Sequence, residues 1–180
     1  ASALLLDPTI AEKIVVVALI GHAFHYGIND EFNLRQDVAA ARAVLKSGAP
    51  FVQLPCMGVV SSFTVSEPEF RYWFEGKNAL ADYLCRYTLK EAKRCSSNRC
   101  RSRCIWDVTA VAWLLNDHGR FMSERLERIA LPTYDGYYVP NALNRAQVYV
   151  YDIHRDALLD DLVRKIVDCD PTTASDSAEA

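Results

Sequence analysis

The chain has 180 residues, of which 51% are hydrophobic, 24% charged and 11% aromatic, with seven Gly and seven Pro. This mixture excludes collagen-like, low-complexity and intrinsically disordered classes and is enough for one globular core. Twenty Lys and Arg against 23 Asp and Glu leave a net charge of −3, so no overall basic field draws the chain to nucleic acid. The longest apolar run, Ile14 to Ile20, falls far short of the ~18 residues of a membrane span. Six Cys with no signal peptide in view fit reduced thiols in a cytoplasmic protein better than a disulfide framework.

Ser2 to Lys13 form a helix-like or turn-rich approach to the first strand. Ile14 to Ile20 is continuously apolar and rich in β-branched residues, which predicts a central strand of a parallel sheet, covered on both faces. A polar loop follows, carrying His22, His25, Asn29, Asp30, Glu31 and Asn33. In open α/β sheets such a loop lies at the carboxyl end of the strand, where ligands bind. Leu34, Val38, Ala41 and Leu45 recur at helical spacing up to Ser47-Gly48, and Phe51 to Leu54 make a second strand. Strand, helix and strand within about 45 residues match a right-handed crossover.

Ser66-Glu67-Pro68-Glu69 is a capping box that starts a helix running through Phe74, with Gly76 interrupting it. A further helix from Asn78 is predicted to turn Leu80, Leu84 and Leu89 inward and to end in the basic, Cys-bearing stretch Lys93 to Arg103. Ile105 to Leu115 is an apolar helix entered through Trp106 and Asp107. Arg128 to Leu131 and Ala146 to Tyr151 suggest strands around the turn Tyr134-Asp135-Gly136, as an antiparallel edge. Leu158, Leu162 and Ile166 mark a last helix, and residues 170–180 are expected to form a disordered tail. The fold class is therefore α/β: an open, mostly parallel sheet with flanking helices.

Two clusters carry candidate chemistry. Glu31 and Asn33, a carboxylate and an amide two residues apart at a strand end, offer directional donors and acceptors for sugar hydroxyls. The same pattern is also met by a helix cap, with Asp30 and Asn33 as its residues. Trp106 and Asp107 open the later apolar helix, where the Trp is read either as a pocket residue or as a half-buried core residue.

Glu31-Phe32-Asn33, with Asp37, the helix Val38 to Leu45 and Ser47-Gly48-Ala49-Pro50 before a strand, resembles the ribose-binding segment of the inosine/uridine-preferring nucleoside hydrolase family. Trp106-Asp107-Val108-Thr109-Ala110-Val111-Ala112-Trp113, about seventy residues on, resembles that family's segment bearing its last calcium-ligating Asp. The resemblance runs from Ser2 to about His154. It implies a Rossmann-related fold that hydrolyses the N-glycosidic bond of a ribonucleoside by a Ca²⁺-bound water, usually as a homo-oligomer. It assigns Asp107 to Ca²⁺, Glu31 and Asn33 to ribose, Trp106 to the base, and His25 to the place of an Asn that contacts the ribose 5′-hydroxyl. A Trp at the base position, where members accepting many bases carry His, implies purine preference through stacking. The family's Asp-rich calcium motif has no match in this sequence, and Asp168-Cys169-Asp170 is a lookalike without a role. Residues 1–169 are accordingly expected to correspond to the C-terminal part of such a domain, incomplete at its N-terminus. This chain alone is expected to be inactive, with a noncatalytic nucleoside- or partner-binding remnant as the alternative.

Cys95, Cys100 and Cys104 are spaced by five and four positions with no fourth partner, so they do not form a zinc pattern. The basic residues among them lack interleaved aromatics and read as a solvated loop. A small ribonucleoside, rather than nucleic acid or membrane, is the expected partner.

Overall fold

The computed structural model describes residues 1–168. In chain order the regular elements are α1 (Ser2–Leu6), β1 (Val16–Leu19), α2 (Phe32–Gln36), α3 (Val38–Lys46), β2 (Phe51–Leu54), β3 (Thr64–Ser66), α4 (Glu67–Phe74) and α5 (Ala79–Cys95). They continue with β4 (Ser102–Cys104), α6 (Val108–Trp113), β5 (Met122–Arg128), β6 (Leu131–Pro132), β7 (Tyr138–Val139), β8 (Ala146–Ile153) and α7 (Arg155–Val167). The expected tail, residues 170–180, lies outside the described residues, as do Cys169 and Asp170 of the Asp168-Cys169-Asp170 lookalike.

The chain divides into two compact units: Ala1–Phe63 with Ile105–His154, and Thr64–Cys104 with the residues from Arg155 on. The first unit contains a four-stranded sheet in the order β1-β2-β8-β5. β1, β2 and β8 run parallel, and β5 is antiparallel to β8 with an irregularity between Ser123 and Glu124. This is the expected mostly parallel α/β sheet. Leu54, Phe63, Phe121, Met122 and Val150 are fully buried in this unit. α6 packs on β1, while α3 faces the side of β1 formed by Val16, Ala18 and Ile20.

Several expectations change in detail. β1 is an edge strand among the described residues, half-buried rather than covered on both faces, and Val15 before it is 56% exposed. A continuous apolar run reports low polarity on both faces, not the number of hydrogen-bonded neighbours. The single helix expected through Leu45 is two helices, because Asp37 leaves helical geometry (φ −153°, ψ 82°) and its carboxylate accepts from the Ala40 amide, capping α3. The apolar helix expected from Ile105 shortens to α6, leaving Leu114 and Leu115 exposed. Around Tyr134-Asp135-Gly136 the short strands β6 and β7 pair antiparallel, while the sheet's antiparallel edge strand is β5.

In the second unit β3 and β4 form an antiparallel pair, so the Cys-bearing stretch is part strand rather than all loop. α4, α5 and α7 pack together. Glu69 reaches back to accept from the Ser66 amide at 2.8 Å, completing the predicted start of α4. Asn78 caps α5 through the Ala81 amide and donates its own amide to the Ile166 and Val167 carbonyls at the end of α7. The inward face of α5 is Ala81, Cys85, Leu89 and Ala92, whereas Leu80 is 48% exposed. Small residues set this helix's phase, because Ala and Cys let neighbouring backbones approach closely, and a count of leucines misses them.

Candidate functional site

β1 ends at a sharp turn made by Gly21, whose φ of +72° is open to glycine at little steric cost. A methyl group at this position would stand 2.0 Å from Tyr138 Oη, so the turn requires glycine for space as well as for conformation. Tyr138 is itself fixed from below. Gln147 donates to the Gln53 side-chain oxygen at 2.8 Å, and the Gln53 amide donates to the Ile20 carbonyl and to Tyr138 Oη at 3.0 Å. This buried polar chain ties β8, β2 and the end of β1 together, and burial pushes the Tyr138 phenol above its ordinary range.

The loop after Gly21 folds back on itself. Its amides and carbonyls pair with Asn29, Met57 and Cys56, and Phe24 stacks on Tyr149 at 4.5 Å. The loop closes at Glu31, which is 5% exposed. The Glu31 carboxylate accepts three backbone N–H groups: Asn33 on Oε1 at 2.8 Å, and Leu34 and Gly21 on Oε2 at 2.9 and 3.1 Å. Glu31 is therefore the N-cap of α2 and the clasp of the β1 turn at once. The helix cap envisaged at Asp30 or Asn33 falls to Glu31. A carboxylate offers about four lone-pair sites, so three donors leave about one for a ligand hydroxyl.

Glu31 and Asn33 line a cleft of about 450 Å³ at the carboxyl ends of β1 and β2. Trp106 and Asp107, at the entry to α6, line the same cleft. The side chains of Asn33, Trp106 and Asp107 make no hydrogen bond or ion pair with the described residues, so the amide, the indole N–H and the carboxylate all remain available to a ligand. His25 is not among the residues lining the cleft; it is exposed, and its ring packs on Tyr26 at 4.9 Å. His22 lines it instead. The Met57 amide donates to His22 Nδ1 at 3.4 Å, and His22 Nε2 lies 3.4 Å from Asp30 Oδ1.

Phe32, Cys56 and Met57 also line the cleft and were not foreseen as site residues. The signal for the last two was present: they follow β2 directly, and in a parallel sheet that places them beside the end of the neighbouring strand. Leu19, the last residue of β1, completes an apolar floor.

A Ca²⁺ ion takes about six to eight oxygen ligands. Asp107, the residual lone pair of Glu31 and the Asn33 carbonyl supply too few. Among the described residues no group of three or more His, Cys, Asp or Glu side chains is arranged to hold a metal. The residues present do not fit a calcium site by themselves. No helix among the described residues is long and apolar enough to cross a membrane.

No protein-family model matches the sequence, and no curated protein matches it. The structure is similar to that of a plant nucleoside hydrolase, with a TM-score of 0.77 at 15% sequence identity over 92% of this chain. The chain spans 57% of the length of that enzyme. The likeness shows a nucleoside hydrolase-like α/β fold.

Proposed function

We propose that the cleft binds a ribonucleoside and that this chain is the ribose- and base-binding part of a nucleoside N-ribohydrolase site. The observation that carries this reading is the convergence of Glu31 and Asn33 with Trp106 and Asp107, two segments far apart in sequence, on one cleft at the ends of parallel strands. The Asn33 amide, as donor and acceptor, and the remaining lone pair of Glu31 take ribose hydroxyls. The indole face of Trp106 stacks on the base, which favours the larger purine ring system over a pyrimidine. His25 has no part in it, and His22 borders the pocket with its Nε2 3.4 Å from Asp30 Oδ1.

In this reading Asp107 is the calcium ligand, and the other oxygens the ion needs are not supplied by the cleft. Departure of the base builds positive charge on the ribose and negative charge on the base, and water then captures the ribosyl cation. The cleft residues described here bind and orient; they do not amount to a water-activating centre. The 180-residue chain is therefore expected to bind nucleoside without turning it over.

Calorimetric titration of the chain with inosine, uridine and free ribose tests this directly. The expected order of affinity is inosine, then uridine, then ribose, with Trp106→Ala weakening inosine selectively and Asn33→Ala weakening all three. Failure of any nucleoside to bind, or equal loss for purine and pyrimidine in Trp106→Ala, would overturn the reading. Ca²⁺-dependent release of hypoxanthine from inosine by the chain alone would overturn the expected inactivity.

A further inference from the structure

The 18 residues from Arg86 to Arg103 carry seven basic side chains and one acidic one, in a chain whose net charge is −3. Four of the seven basic residues lie on α5, whose inward face is Ala81, Cys85, Leu89 and Ala92. On the opposite face Tyr83, Tyr87, Lys90 and Arg94 follow one another at intervals of three or four residues, which aligns them along one stripe. Arg86 and Lys93 flank it. From Tyr83 to Arg94 the stripe is ~16 Å long at the usual rise per residue.

Tyr83 and Tyr87 are each 57% exposed, and their rings lie nearly parallel, 16° apart with centroids 6.2 Å from one another. Glu91 pairs with Arg94 and Glu67 with Arg101, but Arg86, Lys90, Lys93 and Arg99 have no ion-pair partner among the described residues. The stretch of sequence that holds the cations has no aromatic rings after Tyr87; helix geometry brings the two tyrosines into line with them.

We propose that this face of α5 binds single-stranded nucleic acid, with unpaired bases stacking on Tyr83 and Tyr87 and the backbone phosphates running along Arg86, Lys90 and Lys93. Exposed flat rings beside unpaired cations are the combination that such binding uses, and it is tolerant of sequence because every base has a π face. A duplex would leave the tyrosines without unstacked bases to meet. A membrane surface would need a broader aliphatic face, and on α5 Leu80 is the one large aliphatic side chain that is exposed.

Fluorescence anisotropy of the 180-residue chain with fluorescein-labelled decauridylate and decathymidylate tests the proposal. Binding of at least one is expected, weakening with salt by a slope of about −0.7 in log affinity per phosphate contacted. Tyr83→Ala with Tyr87→Ala is expected to weaken binding about tenfold or more with the salt slope kept. Arg86→Ala with Lys90→Ala is expected to flatten the slope by about 1.4. Both pairs are on the exposed face, and unchanged circular dichroism checks that the fold survives. The proposal is overturned if neither oligonucleotide binds, if heparin or a duplex competes as well as the single strands and the tyrosine pair is indifferent, or if only anionic phosphatidylserine vesicles bind. It is equally overturned if oligonucleotide binding survives the tyrosine changes and is displaced by inosine, which would assign it to the cleft.

Discussion

Gly21→Ala is the most informative single change at the turn that ends β1, because two separable penalties meet there. The first is conformational: φ is +72°, and a side chain in the left-handed region costs about 1–2 kcal/mol. The second is steric: the added methyl would stand 2.0 Å from Tyr138 Oη and 3.1 Å from Asn29 Nδ2, so the tyrosine or the loop must move. Overpacking of this kind costs about 1–3 kcal/mol. Together they predict a loss of about 2–5 kcal/mol, a large share of the ~5–15 kcal/mol of a native domain. Tyr138→Phe separates the two. Alone it removes one hydrogen bond from Gln53 Nε2, which keeps its bond to the Ile20 carbonyl, for about 1 kcal/mol. Combined with Gly21→Ala it removes the 2.0 Å clash and leaves Cζ at 3.3 Å, a distance that a small shift relieves. The double variant should therefore be more stable than the sum of the two single effects by about 1–3 kcal/mol. Urea denaturation followed by circular dichroism measures all four proteins. Additivity within about 0.5 kcal/mol, or a Gly21→Ala variant as stable as the parent, would refute the reasoning.

Glu69 is held well below the usual carboxylate range, at about 2 against 4.5, first by the Ser66 hydroxyl, then by the Ser66 amide and by Arg155. Its folded value is the lower one, so its stabilisation is full above about pH 4.5 and is lost as pH falls toward 2; Glu69→Gln should flatten the dependence of the urea midpoint on pH across that window, and an unchanged slope would refute the assignment. Burial pushes the Cys104 thiol up to about 12, whereas Cys95 and Cys100 are exposed; iodoacetamide at pH 8 should therefore label Cys95 and Cys100 well before Cys104 in a peptide map. Asp37→Ala removes the cap of α3 and should destabilise the chain by about 1 kcal/mol in urea without changing nucleoside binding, since its side chain holds the Ala40 amide rather than the cleft.

The parallel α/β core was legible in the sequence because its signals are local: a β-branched apolar run, a helix ending at Ser47-Gly48, and a second short strand. The place of β1 within the sheet was not legible, since hydropathy reports burial and not which neighbour hydrogen-bonds to which edge. The break at Asp37 was hidden because Leu34, Val38, Ala41 and Leu45 keep their helical spacing straight through it; the side-chain oxygen of Asp37 decides the matter by competing for a backbone amide. On α5 the leucines mislead because the helix buries alanines and Cys85 against its neighbours. The two halves of the cleft were both legible as segments, but only the fold joins them. His22 and His25 could not be told apart in advance, because the positive φ of Gly21 and the bond from the His22 amide to Asn29 decide which ring turns inward.

The hydrogen bonds of Glu31 separate what in this cleft is frame from what is available to a ligand. Three of about four lone-pair sites on its carboxylate are taken by the amides of Gly21, Asn33 and Leu34, so it joins the end of β1 to the start of α2 before any ligand arrives. Asn33 and Asp107 are exposed, and their side chains have no such duty. Stability and binding should then part company by residue. Glu31→Ala strips three bonds at once and leaves buried amides without partners, at about 1–3 kcal/mol for each amide left unsatisfied, so it loses fold and ligand together. Asn33→Ala and Asp107→Ala should leave the urea midpoint within about 0.5 kcal/mol of the parent, so that any loss of nucleoside affinity in them belongs to the ligand alone.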